Sequence, residues 1–419
     1  MTKHSNDIAI VGGGLAGGLA AVTLARAGFS CALIDAQEPA RMREAAFDGR
    51  TTAISYASAR LFRRVGVWRD CAAEASPIHD ILVTDGRAKG RFRDGHVAPF
   101  HLHFDSRDLE DDTPLGWIVE NRTLRNALYD AIDANPAIEL IAPAMRTQTH
   151  FGKGEAQIAL ADGRTVNAAL VIAADGKNSG LRAEAGLKAN RWRYDQQGIV
   201  VTVAHEKPHL GVAQEFFLPS GPFAILPMTD DGEGRARSSL VWTEKDRTAP
   251  ALMALDDEAF LQQLTDRFGD YLGDLSLAGP RFSYPLAFHL SQDFIAPRIA
   301  LIGDAARAIH PIAGQGYNLG VKDIAALAAV LEGARDVGLD IGALTVLQKY
   351  QHWRRFDSTM LALGTDVLNR LFMIDHPPLR AIRSIGMGVV NQIKPLRKTF
   401  MRQAGADLGN LPPLMQPER

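Results

Sequence analysis

The chain has 419 residues, a formal net charge of −2, and a composition that is 46% hydrophobic and 22% charged. This length is enough for two domains, each with its own core. The nearly neutral charge argues against a general attraction to nucleic acid, so we expect no nucleic-acid partner. The chain has only two cysteines, Cys31 and Cys71, and no C-x-x-C pair, which leaves disulfide exchange and structural zinc without support.

Neither a signal peptide nor a membrane-spanning segment is predicted. The first apolar strand begins at about residue 7, which leaves no room for a signal peptide. No apolar run approaches the roughly 18 residues that suggest a transmembrane helix. We therefore expect a cytoplasmic protein.

Residues 7–35 follow the pattern of a dinucleotide-binding β-α-β unit. A buried strand over 8–11 leads into a glycine-rich turn and a helix, and a second strand over 31–34 ends in an acid. The glycines and the acid are Gly12, Gly14, Gly17 and Asp35. In such units the glycines permit a tight turn, close approach of a pyrophosphate and helix packing, and the acid hydrogen-bonds the ribose. This segment is therefore predicted to bind the adenosine half of a dinucleotide.

The rest of the chain alternates between two kinds of segment. Strands joined by Asp-Gly turns occupy 78–106, and four strand-like runs fill 196–245 without a β-α-β rhythm, which indicates a separate antiparallel sheet. Residues 343–403 are predicted to be largely helical. We expect an α/β chain whose dinucleotide-binding domain is interrupted twice by a sheet domain. The predicted segments are 1–77, 107–186 and 296–345 for the first domain, 78–106 and 187–295 for the second, and 346–419 for a helical C-terminus.

A second candidate ligand site lies in residues 299–323. An apolar strand ends in Gly303-Asp304, and a His-Pro turn and a glycine-rich run then open a helix. An acid at a strand tip can reach a ligand, and the glycines let the backbone approach it. The first N–H groups of the helix favour an anionic or electron-rich group. We interpret this segment as the other half of the cofactor site.

Three motifs follow one another along the chain: the first glycine motif, Ala174-Asp175-Gly176 and Gly303-Asp304. The pattern H-P-[aliphatic]-[AG]-G-Q-G-x-N-x-G-x-x-D is met from His310 to Asp323. With these motifs the chain resembles the group A flavoprotein monooxygenases of the p-hydroxybenzoate hydroxylase fold, and among them the ubiquinone-biosynthesis hydroxylases. The resemblance spans about residues 5–375. It implies a Rossmann-like FAD-binding domain interrupted by a mostly antiparallel β-sheet substrate domain.

The resemblance also implies which residues hold FAD. Asp304, after Gly303, is expected to hydrogen-bond the ribityl chain. Gly316 and Asn318 are expected beside the pyrimidine ring, where the helix N-terminus stabilises the negative charge of reduced flavin. The other positions that match the family are Asp175 and Gly176 for FAD and the nicotinamide cofactor, Arg50 in Asp48-Gly49-Arg50 for a phosphate or the ring, and Asn121 at a helix start.

Each of these positions also has a structural interpretation. Asp175-Gly176 could form only a turn after a core strand, Asp48 could start a turn, and Asn121 could cap its own helix. His310 is more often a hydrogen-bonded structural histidine than a proton-transfer group, so it is a weak catalytic candidate and no other is assigned.

Three histidines have a spacing that superficially suggests metal ligands. They are His96, His101 and His103. Because we expect no acidic or thiolate companion near them, we interpret them as solvated strand residues and expect no metal site.

The chemistry that the family implies belongs to the flavin. FAD is reduced by hydride transfer, O₂ adds at C4a, and the hydroperoxide hydroxylates an activated aromatic ring. NAD(P)H is expected to bind only transiently, because the chain has a single complete dinucleotide fingerprint, although this also fits another reductant. Water must be excluded, so the substrate is expected in an apolar pocket between the sheet domain and the flavin. The pocket residues predicted from 214–228 and the His-Pro turn are Phe217, Phe223, Pro227 and Pro311, although such residues are as often plain core.

The leading hypothesis is an FAD-dependent monooxygenase that hydroxylates the aromatic ring of a polyprenylated phenol in ubiquinone biosynthesis. Its partners are the phenol, O₂ and, by family, a complex of biosynthetic enzymes. One alternative is a group A hydroxylase of a small soluble phenol. A halogenase is disfavoured because the Trp-x-Trp-x-Ile signature is missing. A further alternative is a non-catalytic FAD-binding member of a biosynthetic complex.

The segment from His376 to Ala406 contains no acidic residue. Its basic residues, which alternate with apolar ones, are Arg380, Arg383, Lys394, Arg397, Lys398 and Arg402. A basic amphipathic segment can lie on an anionic membrane surface, so peripheral membrane contact is one hypothesis. The alternative is a helix that packs on the body of the protein and has an ordinary solvated face.

Overall fold

A computed structural model describes residues 3–44, 49–86, 101–109, 113–374, 376–407 and 409–417. The strands in these residues are β1 (Lys3–Val11), β2 (Cys31–Ile34), β3 (Thr51–Ser55), β4 (Ser76–Ile78), β5 (Asp80–Asp85), β6 (His101–Asp105), β7 (Gly116–Glu120), β8 (Ile138–Ile141), β9 (Arg146–Phe151), β10 (Ala156–Leu160), β11 (Thr165–Ala173), β12 (Ala189–His205), β13 (Val212–Leu218), β14 (Gly221–Met228), β15 (Ala236–Lys245), β16 (Leu275–Leu277), β17 (Phe282–Ser291), β18 (Ile295–Ala296), β19 (Ile299–Leu301) and β20 (Arg307–Ala308).

The α-helices are α1 (Leu15–Arg26), α2 (Pro39–Glu44), α3 (Tyr56–Arg64), α4 (Trp68–Cys71), α5 (Asn121–Asp133), α6 (Gly180–Glu184), α7 (Ala249–Met253), α8 (Asp257–Phe268), α9 (Gln315–Asp336), α10 (Leu344–Met373), α11 (Pro377–Gln392) and α12 (Lys394–Ala404). Within the described residues, none of these helices is both long and apolar enough to cross a membrane.

The first sheet is built around β1, the strand that precedes the first glycine motif. Its strands lie in the order β18-β19-β11-β1-β2-β8. Strands β19, β11, β1, β2 and β8 are parallel to one another, whereas β18 is antiparallel to β19. Residues such as Ile8, Ile10 and Leu33 are fully buried, as expected for parallel strands that are covered on both faces. Helix α1 packs beside α5 and α9. The β-α-β unit predicted for residues 7–35 is therefore present.

The second sheet has nine strands in the order β20-β17-β12-β15-β14-β13-β5-β6, with β16 paired to β12. Its pairs are antiparallel except for β5 and β13, which run parallel. One face packs on α8, where Phe223, Trp242 and Phe260 form a buried cluster. The opposite face meets β3 and the C-terminal helices. Together with the parallel sheet and the helical C-terminus, this sheet confirms the predicted α/β fold class.

The strands of the two large sheets largely follow the predicted segments. Strands β5 and β6 lie within 78–106, and β12 to β17 lie within 187–295. Strand β20 pairs with β17 although it lies in a segment predicted for the first domain. A third sheet has the order β3-β7-β4 and is separate from both. The division into domains at the predicted residue numbers stays a proposal.

A buried carboxylate fixes the position of α9. Asp323 accepts hydrogen bonds from the Gly303 N–H at 3.1 Å and from Arg307 at 2.7 Å on one oxygen, and from Nε of Arg354 at 3.0 Å on the other. All three charged side chains are at most 2% exposed. Because buried charges are stable only when they are paired, these contacts hold the end of β19, α9 and α10 in one arrangement.

We expect Asp323→Ala to lower the free energy of unfolding by about 3–5 kcal/mol, because it removes the buried carboxylate that pairs with both Arg307 and Arg354. Asp336→Ala, at the exposed C-terminal end of the same helix, is the matched control and should change stability by less than about 0.5 kcal/mol. Urea unfolding followed by circular dichroism measures both. Equal losses in the two variants would contradict this role of Asp323.

Candidate active site

The first glycine motif leaves space for a ligand at the start of α1. Gly12 has a φ of +107°, and a Cβ there would lie 2.4 Å from the Ala174 carbonyl oxygen. A Cβ on Gly17 would lie 1.7 Å from the carbonyl oxygen of Gly12. A Cβ on Gly14, in contrast, would meet no atom within 4 Å. Gly12 and Gly17 therefore serve packing, and Gly14 keeps open the space next to the uncapped N–H groups of α1.

Asp35 closes this turn from the end of β2. Its carboxylate accepts hydrogen bonds from the N–H of Gly13 and, at 2.7 Å, from the N–H of Gln37. Each carboxylate oxygen can accept more than one hydrogen bond, so the ribose of a nucleotide can still donate to Asp35. Tyr129 of α5 donates to the Gly13 carbonyl at 3.2 Å and supports the turn. No sequence motif marked Tyr129, because it lies far from the glycines along the chain.

An open recess adjoins Asp35. Its volume is about 680 Å³, and three arginines, Arg41, Arg50 and Arg125, are among its lining residues. Arg125 also donates to the Met42 carbonyl at 3.0 Å. A recess with three guanidinium groups suits the phosphates of a nucleotide. The structure thus places Arg50 on the side of the site where phosphate contact is expected, while Asp48 lies outside the described residues.

The parallel strands bring the three sequence motifs to one edge of the first sheet. Val11 pairs with Ala173, and Ala173 pairs with Leu301, so β1, β11 and β19 end side by side. Gly12, Asp175 and Asp304 lie one, two and three residues after those strand ends. Ligands of open parallel sheets bind outside the carboxyl ends of the strands, which is where these residues meet.

Asp175 and Asp304 leave acceptor oxygens for a ligand. One oxygen of Asp175 accepts from the Leu181 N–H at 3.2 Å, and the other is buried without a hydrogen-bond partner in the described part of the chain. Gly176 has a φ of +81° and open space around its Cβ position. The side chain of Asp304 is exposed, and desolvation by the surrounding protein raises the pKa of its carboxyl. Hydroxyl donors of a bound ribityl chain would satisfy such acceptors.

The N-terminus of α9 is built from glycine and held by Asn318. Gly314 has a φ of +61°, and a Cβ there would lie 2.9 Å from Cβ of Ala53. The amide of Asn318 donates to the carbonyls of Ala53 at 2.8 Å and Gly314 at 3.2 Å, and its oxygen accepts from the Ser55 N–H at 3.0 Å. The Asn318 side chain therefore ties α9 to β3, and its expected place beside a flavin ring stays a prediction. A Cβ on Gly316 would meet no atom within 4 Å.

Asn121 also has a structural role. Its side-chain oxygen accepts a hydrogen bond from Thr52 at 2.6 Å, and its N–H donates to the Arg50 carbonyl at 3.0 Å. These bonds join the start of α5 to β3. Asn121 thereby fixes the backbone from which Arg50 reaches the recess.

A cavity of about 220 Å³ lies between the second sheet and the start of α9. Its wall includes Pro311, Gly314 and Asn318 on the α9 side. Apolar residues from the three sheets form most of the remainder, namely Ala53, Ile54, Ile78, Ile81, Val83, Phe104, Leu115, Ala213, Ala224, Leu226 and Val241. Ala404 of α12 closes one side. The cavity is therefore mostly apolar and lies beside the N-terminus of α9.

Only one of the four residues predicted to contact substrate lines this cavity, and that residue is Pro311. Because side chains alternate along β14, Ala224 and Leu226 reach the cavity, while Phe223 packs into the cluster on the α8 face. Pro227, which is buried, is likewise absent from the lining.

Phe217 lies on the cavity side of β13 but beyond the cavity. It stacks on Phe372 of α10, with ring centroids 3.9 Å apart, and packs against Ile312 and Met387. Phe217 thus fixes the C-terminal helices to the second sheet and does not line the cavity.

His310 is 1% exposed and lies edge-on to the Tyr194 ring at 5.2 Å. Burial lowers its pKa to about 4, so the ring is neutral at physiological pH. Neither ring nitrogen has a hydrogen-bond partner among the described residues. His310 is not among the residues that line the cavity, and a role in proton transfer stays a prediction.

The expectation that the histidines have no acidic companion is wrong for His103. Antiparallel pairing places Asp80 of β5 opposite Asp105 of β6, and Nε2 of His103 lies 2.6 Å from Asp80. Ligand atoms of these three residues lie within 4.8 Å of one another. Arg107 hydrogen-bonds Asp105 and lowers the pKa of its carboxyl. The Asp105 carboxylate is therefore already paired with a guanidinium group. His96 lies outside the described residues.

The residues at the sheet edge fit FAD. The open positions at Gly14 and Gly176, the arginine-lined recess beside Asp35 and the unpartnered Asp175 oxygen provide space and hydrogen-bonding groups for an extended dinucleotide. The uncapped N-terminus of α9 lies at the other end, next to the apolar cavity.

Comparison with known proteins agrees with the geometry. Residues 5–344 match the family model described as FAD binding domain. The chain is 43% identical to ubiquinone hydroxylase UbiL of Rhodospirillum rubrum, over 95% of this chain and 89% of that protein. It is 33% identical to the 3-demethoxyubiquinol 3-hydroxylase of Escherichia coli, over 96% of this chain and 99% of that protein. It is 30% identical to the mitochondrial ubiquinone biosynthesis monooxygenase COQ6 of Homo sapiens, over 94% of this chain and 91% of that protein.

Solved structures show the same fold. The p-nitrophenol 4-monooxygenase PnpA of Pseudomonas putida DLL-E4 superposes with a TM-score of 0.77 at 18% identity, over 98% of this chain and 100% of that one. A single-residue variant of Klebsiella pneumoniae HpxO, solved in complex with FAD, superposes with a TM-score of 0.70 at 18% identity, over 97% of this chain and 99% of that one. The chain therefore belongs to the FAD-dependent monooxygenases of the FAD binding domain family, and FAD is its cofactor.

Proposed function

We propose that this enzyme hydroxylates the aromatic ring of a polyprenylated phenol in ubiquinone biosynthesis, with NAD(P)H as reductant and O₂ as co-substrate. The observation that carries the proposal is the apolar cavity beside the α9 N-terminus, in a chain 43% identical to a ubiquinone hydroxylase. Bound FAD supplies the oxygen-transfer chemistry. The protein supplies binding, orientation and exclusion of water.

The residues of the sheet edge hold the two ends of FAD. Gly14 and the start of α1 accept the pyrophosphate, with the recess arginines nearby. Asp304 accepts hydrogen bonds from the ribityl chain. The first N–H groups of α9, fixed to β3 by Asn318, stabilise negative charge on the reduced ring.

The cavity wall keeps water from the reacting atoms. Most lining side chains are aliphatic, and Met401 of α12 packs behind them against Phe104 and Leu115. An apolar wall excludes water, which protects a reactive oxygen donor from side reactions. The same wall suits an aromatic ring better than a charged metabolite.

The cavity is too small for a substrate with a long tail to lie inside it. Its volume of about 220 Å³ is below the range of about 300–1,000 Å³ that is usual for sites enclosing drug-sized ligands. A polyprenyl tail therefore extends outside. The surface of the C-terminal helices is apolar enough to receive it, because Ile382, Ile385, Val389 and Ile393 of the α11 region are 46–64% exposed.

We also propose that this surface contacts a membrane through its apolar residues. Arg383 is buried and donates to Asp85 at 3.1 Å, and Arg397 donates to Asp108 at 2.6 Å. Arg383 and Arg397 therefore anchor the C-terminal helices to β5 and to the turn after β6. Two of the basic residues that suggested membrane contact thus form ion pairs within the protein. Ile382, Ile385 and Val389 form the stripe that faces outward.

Purified enzyme with FAD, NADH or NADPH, O₂ and 2-geranylphenol should give a product heavier by one oxygen atom, detected by mass spectrometry. Leu226→Trp should lower the hydroxylation rate by at least about tenfold, because the indole fills the cavity, while bound FAD stays unchanged. Leu339→Trp, at an exposed position, is the control. Turnover of small phenols only would favour the alternative substrate class, and FAD that is never reduced would favour a non-catalytic role.

Gly14→Ala should weaken FAD binding by about tenfold or more and leave the stability of the apoprotein unchanged, because its new Cβ meets ligand space and no protein atom. Gly17→Ala should destabilise the apoprotein itself, since its Cβ would overlap the Gly12 carbonyl. Gly154→Ala, also in open space but away from the site, is the control. Flavin fluorescence titration and thermal unfolding separate the two effects. Unchanged FAD affinity in Gly14→Ala would overturn the assignment.

Flotation with vesicles of phosphatidylethanolamine and phosphatidylglycerol tests the membrane contact. Wild type should float, and Ile382→Glu combined with Ile385→Glu should not, because burial of each isoleucine contributes about 1.5–3 kcal/mol. The matched control is Phe356→Glu with Val367→Glu on α10, which changes two similarly exposed apolar residues outside the α11 stripe. Equal flotation of wild type and the α11 variant would end the proposal.

A further inference from the structure

We propose that α10 is the surface through which two copies of this chain form a dimer. One side of the helix packs on the body of the protein. The opposite side has a row of apolar side chains that are between 44% and 72% exposed. These side chains, which form the α10 row, are Phe356, Met360, Leu363 and Val367. Dimer formation is independent of the substrate proposed above.

The spacing of the α10 row is that of a seam between two helices. Successive members lie four, three and four residues apart, so they stay within about 60° of one another around the helix axis. Ile374, which is exposed at the end of the helix, lies on the same line. A helix that faces a core has an apolar stripe at least about 100° wide, whereas a narrower stripe with spacings of three and four is typical of paired helices. The α10 row therefore fits another helix better than a broad apolar surface.

The helix cannot bury the α10 row by rotating, because its other side is held by the body of the protein. Ser358, Ala362 and Thr365 on that side are at most 5% exposed. Tyr194 of β12 donates a hydrogen bond to Asp366 at 2.7 Å. A rotation that buried the row would break these contacts and expose the buried side. The row is therefore left for a partner outside the chain.

The α10 row is symmetric about its own midpoint, which points to a second copy of this chain as the partner. A two-fold axis midway between Met360 and Leu363 makes the two helices antiparallel and brings Met360 opposite Leu363 of the partner subunit. The same axis brings Phe356 opposite Val367 of the partner subunit, because both positions are equally far from the midpoint. Each contact then occurs twice, as a two-fold interface requires. A partner of unrelated sequence would not need this symmetry.

The charges near the α10 row do not oppose the pairing. The row itself contains no charged side chain, and the core of an interface is normally depleted of charge. Lys322 donates to Asp357 at 3.0 Å, and Arg355 lies 3.4 Å from Asp293 of its own chain. These neighbouring charges are therefore paired within each copy before the two helices meet.

The area of the α10 row suits the centre of a dimer interface. Its four side chains expose on the order of 400 Å² per copy, about half of the roughly 800 Å² that each partner buries in a standard interface. Apolar atoms normally contribute a little more than half of an interface, and a polar rim provides the rest. Exposed polar residues beyond the two ends of the row, such as Lys349 and Arg370, provide this rim.

Sedimentation velocity of the FAD-loaded enzyme at micromolar concentration tests the dimer. Wild type should sediment with twice the 45.5 kDa mass of the chain. Phe356→Glu combined with Val367→Glu, the α10 variant, should weaken the dimer by at least about 100-fold, because each glutamate faces an apolar side chain. Ile382→Glu combined with Ile385→Glu changes two similarly exposed residues of α11 and is the matched control, which should stay dimeric. FAD content and melting temperature show that both variants are folded.

Disulfide cross-linking tests the two-fold register. Phe356→Cys combined with Val367→Cys should give a covalent dimer under mild oxidation, because the two positions face each other across the axis. Neither single variant should do so, since two copies of the same position lie eleven residues apart, about 16 Å along the paired helices. The native Cys31 and Cys71 are buried and do not interfere.

The possible results separate the dimer from other partners and from the proposed function. Loss of the dimer in the α10 variant, with cross-linking of the double cysteine variant alone, supports the dimer. A monomeric wild type, or a dimer that the α10 variant leaves intact, overturns it. Cross-linking of either single variant also overturns it, because the axis would then lie elsewhere. A monomeric wild type whose flotation with vesicles is lost in the α10 variant would show that lipid covers the row instead. Hydroxylation by wild type tests the proposed function separately.

Discussion

The geometry of the active site depends on one buried carboxylate, that of Asp323. It joins the Gly303 N–H at the end of β19 to Arg307 and to Arg354 of α10. Because the ion pairs are fully buried, the groups cannot exchange partners with water, and their separation is fixed by packing. The N-terminus of α9 lies two turns before Asp323. Its distance from the sheet edge, and hence the space for the flavin ring, follows from this contact.

Much of the nucleotide site could be predicted from the sequence, because each motif there is local. Gly12, Gly14 and Asp35 belong to one β-α-β unit, and parallel strands must present their carboxyl ends at one edge. The roles of side chains that contact residues distant in the sequence were harder to predict. The motif placed Asn318 at the start of α9 but did not show that its side chain makes three hydrogen bonds to β3 and its own turn. A motif identifies the residue and not the partner that folding brings to it.

The lining of the cavity is a second feature that the sequence alone does not determine. Strand β14 lies among the strand-like runs predicted within 196–245, and its side chains alternate between the two faces, but the sequence does not say which face meets the cavity. Large side chains such as Phe223 suggested a pocket wall. Phe223 instead packs on the α8 face, whereas the cavity wall on this strand consists of the smaller Ala224 and Leu226. Large aromatic side chains in a strand therefore do not by themselves identify the residues that line a cavity.

Helix α12 connects the cavity to the surface where a tail would emerge. Ala404 closes the inner cavity, while Met401 and Arg402 of the same helix border an outer recess of about 520 Å³. The helix is held on the body by Arg397 with Asp108 and by Gln315 with the Ala404 carbonyl. Helix α12 therefore lies between the inner cavity and the outer recess, at the surface formed by the C-terminal helices. A ring bound inside and a tail directed outside would require the substrate to pass this helix, which makes α12 the element on which access to the flavin depends.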